Sequence, residues 1–127
     1  MSLIRAVPLK DATRANYCTT QDVSTGYDLT ALLTAGRTIC AGLHLLSFVS
    51  PDSITMSVQC ASSSGFTAPT NILTHTVRSS AGSELLTSGG LVGVACTTSQ
   101  NWWRASWVPS TGSGSPQFKL MEFVGFK

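Results

Sequence analysis

Few side chains in this sequence carry the groups that catalysis needs. The 127 residues contain two histidines, His44 and His75, and six carboxylates: Asp11, Asp22, Asp28, Asp52, Glu84 and Glu122. No motif pairs two carboxylates for acid–base work, and no Gly-x-Ser-x-Gly or phosphate-cradling glycine loop occurs. His75 lies on an apolar face between Leu73 and Val77, which favours a hydrogen-bonded core residue. We expect no enzyme activity, no catalytic residues and no cofactor.

The cysteines do not suggest a metal site. The four cysteines are Cys18, Cys40, Cys60 and Cys96, and none of them forms a Cys-x-x-Cys pair. An even count leaves two disulfides open. We favour free thiols, because free cysteine behaves as a small buried hydrophobe and Cys60 continues the apolar alternation of Ile54, Met56 and Val58.

Charge is sparse, which excludes several classes of partner. Only 11% of the residues are charged and the net charge is +2, against about 25% charged residues in ordinary soluble proteins. The basic residues are spread along the chain, whereas nucleic-acid binding needs a concentrated basic face. No stretch approaches a transmembrane helix in length, and the first apolar run is too short for a secretory signal. We expect a soluble protein synthesised in the cytoplasm, with no nucleic-acid or membrane partner.

The elements that must position any site are β-strands. Apolar and polar residues alternate through most of the chain and helical periodicity is nearly absent. This pattern predicts strands over residues 38–50, 53–60, 71–78, 91–98, 101–108 and 117–126, and either a short strand or a connector over residues 83–90. The turn sequence at 50–53 predicts that the first two form a hairpin. Residues 27–36 are compatible with either a short helix capped by Asp28 or a strand.

About eight short strands separated by Pro, Gly and Ser turns predict an all-β fold. We expect an antiparallel β-sandwich that resembles a jelly roll, with residues 17–127 as a single domain. Residues 1–16 form either an N-terminal arm or an edge strand, since Pro8 confines a strand to the edge of a sheet. The mixed apolar and basic character of Leu3, Ile4 and Arg5 makes this segment a candidate docking arm.

Three tryptophans in one predicted strand separate into two faces. In an extended conformation Trp103, Ala105 and Trp107 share an apolar face, and each buried ring removes about 150–250 Å² from water. We assign this face to the core. Trp102 and Arg104 share the other face, within reach of a cation–π contact. They either cover a sheet edge or anchor a protein–protein contact, where both residue types are favoured.

The last predicted strand, residues 117–126, places a carboxylate in an apolar row. Strict alternation directs Glu122 inward, which is costly unless its charge is paired. Either a β-bulge turns Glu122 outward or an arginine satisfies it. In both cases Met121 and Phe123 form an outward apolar patch, and such patches often mark an interface.

Two stretches resemble small bacteriophage virion proteins. The run WWRASW, the Ser/Thr/Gly loop after it and SPQFKLMEFVGF are similar to the strands and turn that close a β-sandwich in those proteins. SITMSVQCASSSGFTAPTNILTHT is similar to their strand, serine-rich turn and strand. The resemblance spans residues 38–127. It implies a virion structural component of the capsid decoration or cement type, located on the capsid surface, which binds the major capsid protein and forms a dimer or trimer.

The expected function is therefore non-catalytic protein binding. The candidate interface consists of Leu3, Ile4, Arg5, Trp102, Arg104, Met121 and Phe123. A carbohydrate-binding β-sandwich domain of a tail or host-recognition protein is the alternative, because tryptophan rings can stack on sugars. One exposed ring is a poor platform for a sugar, so protein binding is the preferred interpretation.

Overall fold

The computed structural model of the chain describes residues 5–10, 22–33, 39–49, 53–87, 99–110 and 117–126. These ranges contain nine strands and one 3₁₀ turn, Thr30–Leu32. The strands are β1 (Arg5–Lys10), β2 (Asp22–Val23), β3 (Tyr27–Asp28), β4 (Ile39–Val49), β5 (Ile54–Ala61), β6 (Thr70–Thr74), β7 (Gly82–Thr87), β8 (Trp102–Pro109) and β9 (Gln117–Phe126). The strand expected at 91–98 lies outside the described residues.

The strands form two antiparallel sheets. The front sheet has the order β1-β9-β4-β7, and the back sheet has the order β2-β8-β5-β6, with β3 also paired to β8. This is the strand order of a jelly roll, in which the chain alternates between two packed sheets. The expected all-β sandwich is confirmed.

A single fold-back at residues 62–69 explains the topology. Strands before this loop pair with strands after it in nested fashion: β5 with β6, β4 with β7, β2 with β8 and β1 with β9. The predicted hairpin of β4 and β5 is therefore wrong, because the two strands lie in different sheets. β8 and β9, which are also consecutive in the chain, likewise lie in different sheets.

The core fills the space between the two sheets. Trp103, Ala105 and Trp107 are buried, which confirms the predicted inner face of β8. The ring of Trp103 packs edge-on against Phe126 of β9, with 5.8 Å between the ring centroids. Each buried aromatic ring contributes roughly 4–6 kcal/mol before opposing costs. The rings of Trp103 and Phe126 thus join the back sheet to the front sheet.

Two short segments form edges of the sandwich. β1 pairs with β9 at one side of the front sheet. This edge position accepts Pro8, because proline has no backbone N–H to donate to a further strand. Leu9 of the same strand is 1% exposed.

The second edge segment is β3. Asp28 ends this strand, and its Oδ1 accepts hydrogen bonds from the backbone N–H (3.0 Å) and hydroxyl (2.5 Å) of Thr30. Of the segment 27–36, predicted as a helix or a strand, the described residues 27–33 form a two-residue strand followed by one 3₁₀ turn.

The cysteines differ from one another. Cys40 carries a free thiol, in line with the sequence-based preference. Cys60 is disulfide-bonded, and its partner lies outside the described residues, so the free-thiol interpretation is wrong for Cys60. A buried, alternating position is equally suited to a thiol and to half of a disulfide, so the sequence pattern did not distinguish them.

Candidate functional site

The outer side of the front sheet carries an apolar groove, which we call the front groove. Register places Gly42 between Phe123 of β9 and Leu85 of β7. It also places His44 between Met121 and Ser83. The groove has a volume of about 510 Å³ and is lined by Gly42, Leu43, His44, Ser83, Glu84, Leu85, Met121 and Phe123.

Gly42 allows the ring of Phe123 to lie against the backbone of β4. A Cβ atom at Gly42 would lie only 2.0 Å from Cε1 of Phe123. The ring therefore takes the place of a side chain that the glycine lacks. Met121 is nevertheless 39% exposed and Leu85 is 61% exposed. Exposed apolar side chains that cluster in this way mark interaction sites more often than isolated ones do.

The polar part of the groove is a pair formed by His44 and Ser83. The Nδ1 atom of His44 is hydrogen-bonded to the hydroxyl of Ser83, and both residues are exposed. A nucleophilic serine needs such a base, but also a third group that orients the base and donors for an oxyanion. Among the described residues no carboxylate contacts His44. The pair is suited to hydrogen bonding with a ligand.

Glu84 connects the groove to a buried cluster of three side chains. The Nδ1 atom of His75 lies 3.0 Å from Oε1 of Glu84, and its Nε2 lies 2.8 Å from Oε1 of Glu122. The two glutamates project from β7 and β9, both opposite Leu43 of β4. His75 follows β6 in the back sheet, and its backbone N–H donates to the carbonyl of Met56 (2.9 Å). The cluster therefore joins the two sheets.

Burial and hydrogen bonding shift the pKa values of His75 and Glu122. Burial by itself lowers the pKa of His75, but hydrogen bonds and charges from Glu122 and Glu84 outweigh it and raise the pKa above 6.5. Burial raises the pKa of Glu122 above 4.5, and the bond to His75 offsets only part of this. Both groups therefore hold a proton more firmly than usual, and their titrations are coupled.

Glu84 remains ionised. Burial raises its pKa, but hydrogen bonds from Thr76 and the interaction with His75 outweigh this and hold the pKa below 4.5. The backbone N–H of Thr76 donates to Oε1 of Glu84 (2.9 Å). The Glu84 side chain is 17% exposed and faces His75 on the inner side of the front sheet, whereas its neighbours Ser83 and Leu85 face the groove.

The position of Glu122 differs from both sequence-based alternatives. Its side chain points inward and is 2% exposed, and its partner is His75 rather than an arginine. The expected core role of His75 is confirmed, whereas Val77 is 57% exposed and does not share its face, because β6 ends at Thr74. The Oε2 atom of Glu122 has no partner among the described residues, which costs roughly 1–3 kcal/mol for a buried acceptor.

Trp102 and Arg104, which the sequence also assigned to the interface, lie on the back sheet. The guanidinium of Arg104 lies over the ring of Phe66, 4.1 Å from its centroid, and its Nε donates to Oε1 of Gln59 (2.9 Å). The cation–π contact therefore involves Phe66 rather than Trp102, which is half-buried. Phe66 is itself buried beneath the guanidinium and has a positive φ of 50°, a conformation uncommon for residues other than glycine. Arg104 is largely engaged within its own chain.

The structure separates the predicted interface residues. Met121 and Phe123 lie on the outer face of the front sheet, and Trp102 and Arg104 lie on the back sheet. Since the two sheets pack back to back, one flat partner surface cannot contact both pairs. Leu3 and Ile4 lie outside the described residues, and Arg5 begins β1.

Sequence reasoning missed six of the eight residues that line the groove, four of which face outward. Gly42, His44, Ser83 and Leu85 complete the surface around Met121. The signal was present in part, because alternation places Gly42 and His44 on the outer face of β4. Recognising the groove also requires β7 to be placed next to β4, which the sequence does not state.

Comparisons with known proteins do not assign the chain to a family. No protein-family model matches the chain, and neither a curated protein nor a solved structure matches it. Within the described ranges no group of three or more His, Cys, Asp or Glu side chains is arranged to hold a metal ion. The described part of the chain also has no helix of the length and apolarity that a membrane span requires. Function must therefore be argued from the groove.

Proposed function

We propose that this protein is a non-enzymatic structural component of a bacteriophage virion, a capsid decoration or cement protein that stabilises the shell through protein–protein contacts. The observation that carries the proposal is the front groove with its exposed rim, Leu85 and Met121. An apolar rim of this kind contributes to binding when a partner removes it from water. Jelly rolls occur in viral capsid proteins and in lectins, so the fold is compatible with the proposal but does not decide it.

The mode of binding follows from the low charge of the chain. With 11% charged residues, long-range electrostatic repulsion between neighbouring copies is weak. Contacts through one small groove are individually modest. On a capsid they are repeated at every lattice position, and an oligomer of this protein would multiply them through avidity. The partner is then the major capsid protein, and the location is the capsid surface.

Co-sedimentation with assembled phage capsids tests the proposal. We expect the wild-type protein to sediment with the shells and Leu85→Glu to lose at least tenfold in affinity, the size of effect that a central interface residue shows. Val77→Glu is the matched control, because Val77 is 57% exposed but does not line the groove. Equal binding of wild type and Leu85→Glu would overturn the groove as the contact surface, and absence of wild-type binding would overturn the function.

Carbohydrate binding is the second candidate, and one observation favours it. The ring of Phe123 lies close to Gly42 of β4, and the same strand carries His44, which is hydrogen-bonded to Ser83. This is the combination of ring and polar groups that a sugar requires. A glycan array tests this candidate with the wild type, Phe123→Ala and Trp102→Ala. Glycan binding that is lost in Phe123→Ala would favour a sugar site, and no binding to any glycan would count against it.

A further inference from the structure

We propose that the buried cluster of His75, Glu84 and Glu122 is a proton-dependent latch, which holds the edge strand β7 against the back sheet and loosens it when the cluster loses a proton. Strand β7 ends the order of the front sheet and pairs there with β4. His75 follows β6 of the back sheet, so its contact with Glu84 joins this edge strand to the opposite sheet. The latch is a property of the fold and does not require the proposed capsid partner.

The hydrogen bonds of the cluster set the number of protons that it must hold. Both ring nitrogens of His75 face carboxylate oxygens, with Nδ1 at 3.0 Å from Glu84 and Nε2 at 2.8 Å from Glu122. An ionised carboxylate only accepts hydrogen bonds, and a neutral imidazole has one N–H to donate. Both contacts are therefore satisfied only when the cluster holds one proton more than a neutral histidine between two ionised glutamates. This count is the same whether the additional proton resides on the ring or on a carboxyl.

Loss of the additional proton breaks the contact with Glu84 rather than the contact with Glu122. Glu122 is 2% exposed, and the one hydrogen bond described for its carboxylate is that to His75. The Glu84 side chain is 17% exposed and also accepts from the backbone N–H of Thr76 (2.9 Å). A buried carboxylate without a donor costs more than a partly solvated one, so the remaining N–H stays on Nε2. The lone pair of Nδ1 then faces Glu84 and repels it.

The strands packed around the cluster contribute mostly uncharged groups. Leu43 of β4 lies opposite both glutamates. The carbonyl of Met56 in β5 accepts from the backbone N–H of His75 (2.9 Å). β1 places Lys10 in register with Glu122, which makes Lys10 the charged residue to test beside the cluster itself.

The latch is closed at mildly acidic pH. Burial lowers the pKa of His75, but the hydrogen bonds and charges of the two glutamates outweigh burial and raise the pKa above 6.5. The pKa of Glu84 lies below 4.5. All contacts of the cluster are therefore present between about pH 4.5 and about pH 6.5, and the contact of His75 with Glu84 is lost as the pH rises through the raised pKa.

NMR spectroscopy of the full-length ¹⁵N-labelled protein tests the latch between about pH 5.5 and about pH 8.5. Imidazole ¹⁵N shifts report which ring nitrogen of His75 carries a proton, and we expect the neutral ring to be the Nε2–H form. Amide protection factors report the opening of each strand with the intrinsic pH dependence of exchange removed. The amides of β7 should be less protected than those of β8 at every pH. They should also lose at least about tenfold in protection as His75 titrates, as for the loss of one hydrogen bond between charged groups.

Three variants identify the groups responsible. In Glu84→Gln the side-chain amide can donate to the unprotonated Nδ1, so the protection of β7 should no longer follow the titration of His75. His44→Gln and Lys10→Met should both retain the loss of protection. The first of these is needed because His44 is hydrogen-bonded to Ser83 on the outer side of β7.

Four results would overturn the latch. They are a neutral His75 ring protonated on Nδ1, protection of β7 that does not change as His75 titrates, equal protection of β7 and β8 throughout, and a loss of protection that disappears in His44→Gln or Lys10→Met. The first three are measured on the wild type and do not depend on the folding of any variant. Binding to capsids is a separate measurement, so failure of the latch leaves the proposed function unaffected.

Discussion

Replacing His75 with leucine tests whether the buried glutamate–histidine–glutamate cluster joins the two sheets. The substitution removes both ring nitrogens but preserves a large apolar volume. Glu122 then loses the one hydrogen bond described for its carboxylate. Glu84 retains the backbone N–H of Thr76 and partial contact with solvent. The penalty therefore falls mainly on Glu122.

The expected magnitude follows from burial. Glu122 is 2% exposed, so water cannot reach its carboxylate unless the sandwich opens. Removal of one partner from a buried charge pair costs about 3–5 kcal/mol, while the loss at the more exposed Glu84 adds at most about 1 kcal/mol. We expect His75→Leu to lower the free energy of unfolding by about 3–5 kcal/mol, a large part of the roughly 5–15 kcal/mol that stabilises a typical domain.

The double variant His75→Leu/Glu122→Leu distinguishes an unpaired charge from a packing defect. It should recover most of the lost stability, because an apolar replacement of a buried ion pair is often neutral or stabilising. Urea unfolding followed by tryptophan fluorescence measures all three proteins, since Trp103 and Trp107 are buried in the core. A single variant within about 1 kcal/mol of the wild type, or a double variant no more stable than the single one, would refute this account.

Three further predictions use the same structure. The raised pKa of His75 gives stability that is complete below about pH 6.5 and is lost as the pH rises, and the raised pKa of Glu122 gives stability that is complete below about pH 4.5 and is also lost as the pH rises. The lowered pKa of Glu84 gives stability that is lost below 4.5, so thermal melts should show the highest Tm between pH 4.5 and 6.5. His75→Leu/Glu122→Leu should reduce the fall in Tm above pH 6.5, and an unchanged profile of Tm against pH would contradict the assignment. Gly42→Val should displace the Phe123 ring and weaken groove binding while lowering stability by about 1–3 kcal/mol; a crystal structure with the ring unmoved would contradict it. Reduction of the Cys60 disulfide should lower the free energy of urea unfolding by about 2–4 kcal/mol, an effect that should be absent in Cys60→Ser.

The orientation of side chains could be predicted from the sequence because alternation is a local property. In β8 the period of two separates Trp103 and Trp107 from Trp102 without knowledge of the fold. The same reasoning placed Met121 outward. Each of these inferences needs only the backbone geometry of one strand.

Strand partners could not be predicted in the same way. In this jelly roll, β1 pairs with β9 across more than 100 residues, from Arg5 opposite Phe126, and no short-range pattern records that pairing. The turn residues between β4 and β5 are equally compatible with a hairpin and with a crossing between sheets. For the same reason the partner of Glu122 was not visible, because His75 meets it only after the two sheets have packed.

The groove and the buried cluster depend on one another through the register of β7. Charged side chains usually face solvent and apolar side chains usually face the core. Two adjacent residues of β7 do the opposite, since Glu84 faces inward and Leu85 is 61% exposed. A slip of one residue would exchange their faces, burying the leucine and exposing the carboxylate. The hydrogen bonds of Glu84 to His75 and Thr76 exist only in the observed register. The buried cluster thereby stabilises the arrangement that keeps Leu85 on the outer rim. Departures from local preference that a fold maintains with such specific contacts are expected at functional surfaces, which is why the groove, rather than the tryptophan strand, is the surface that we propose for binding.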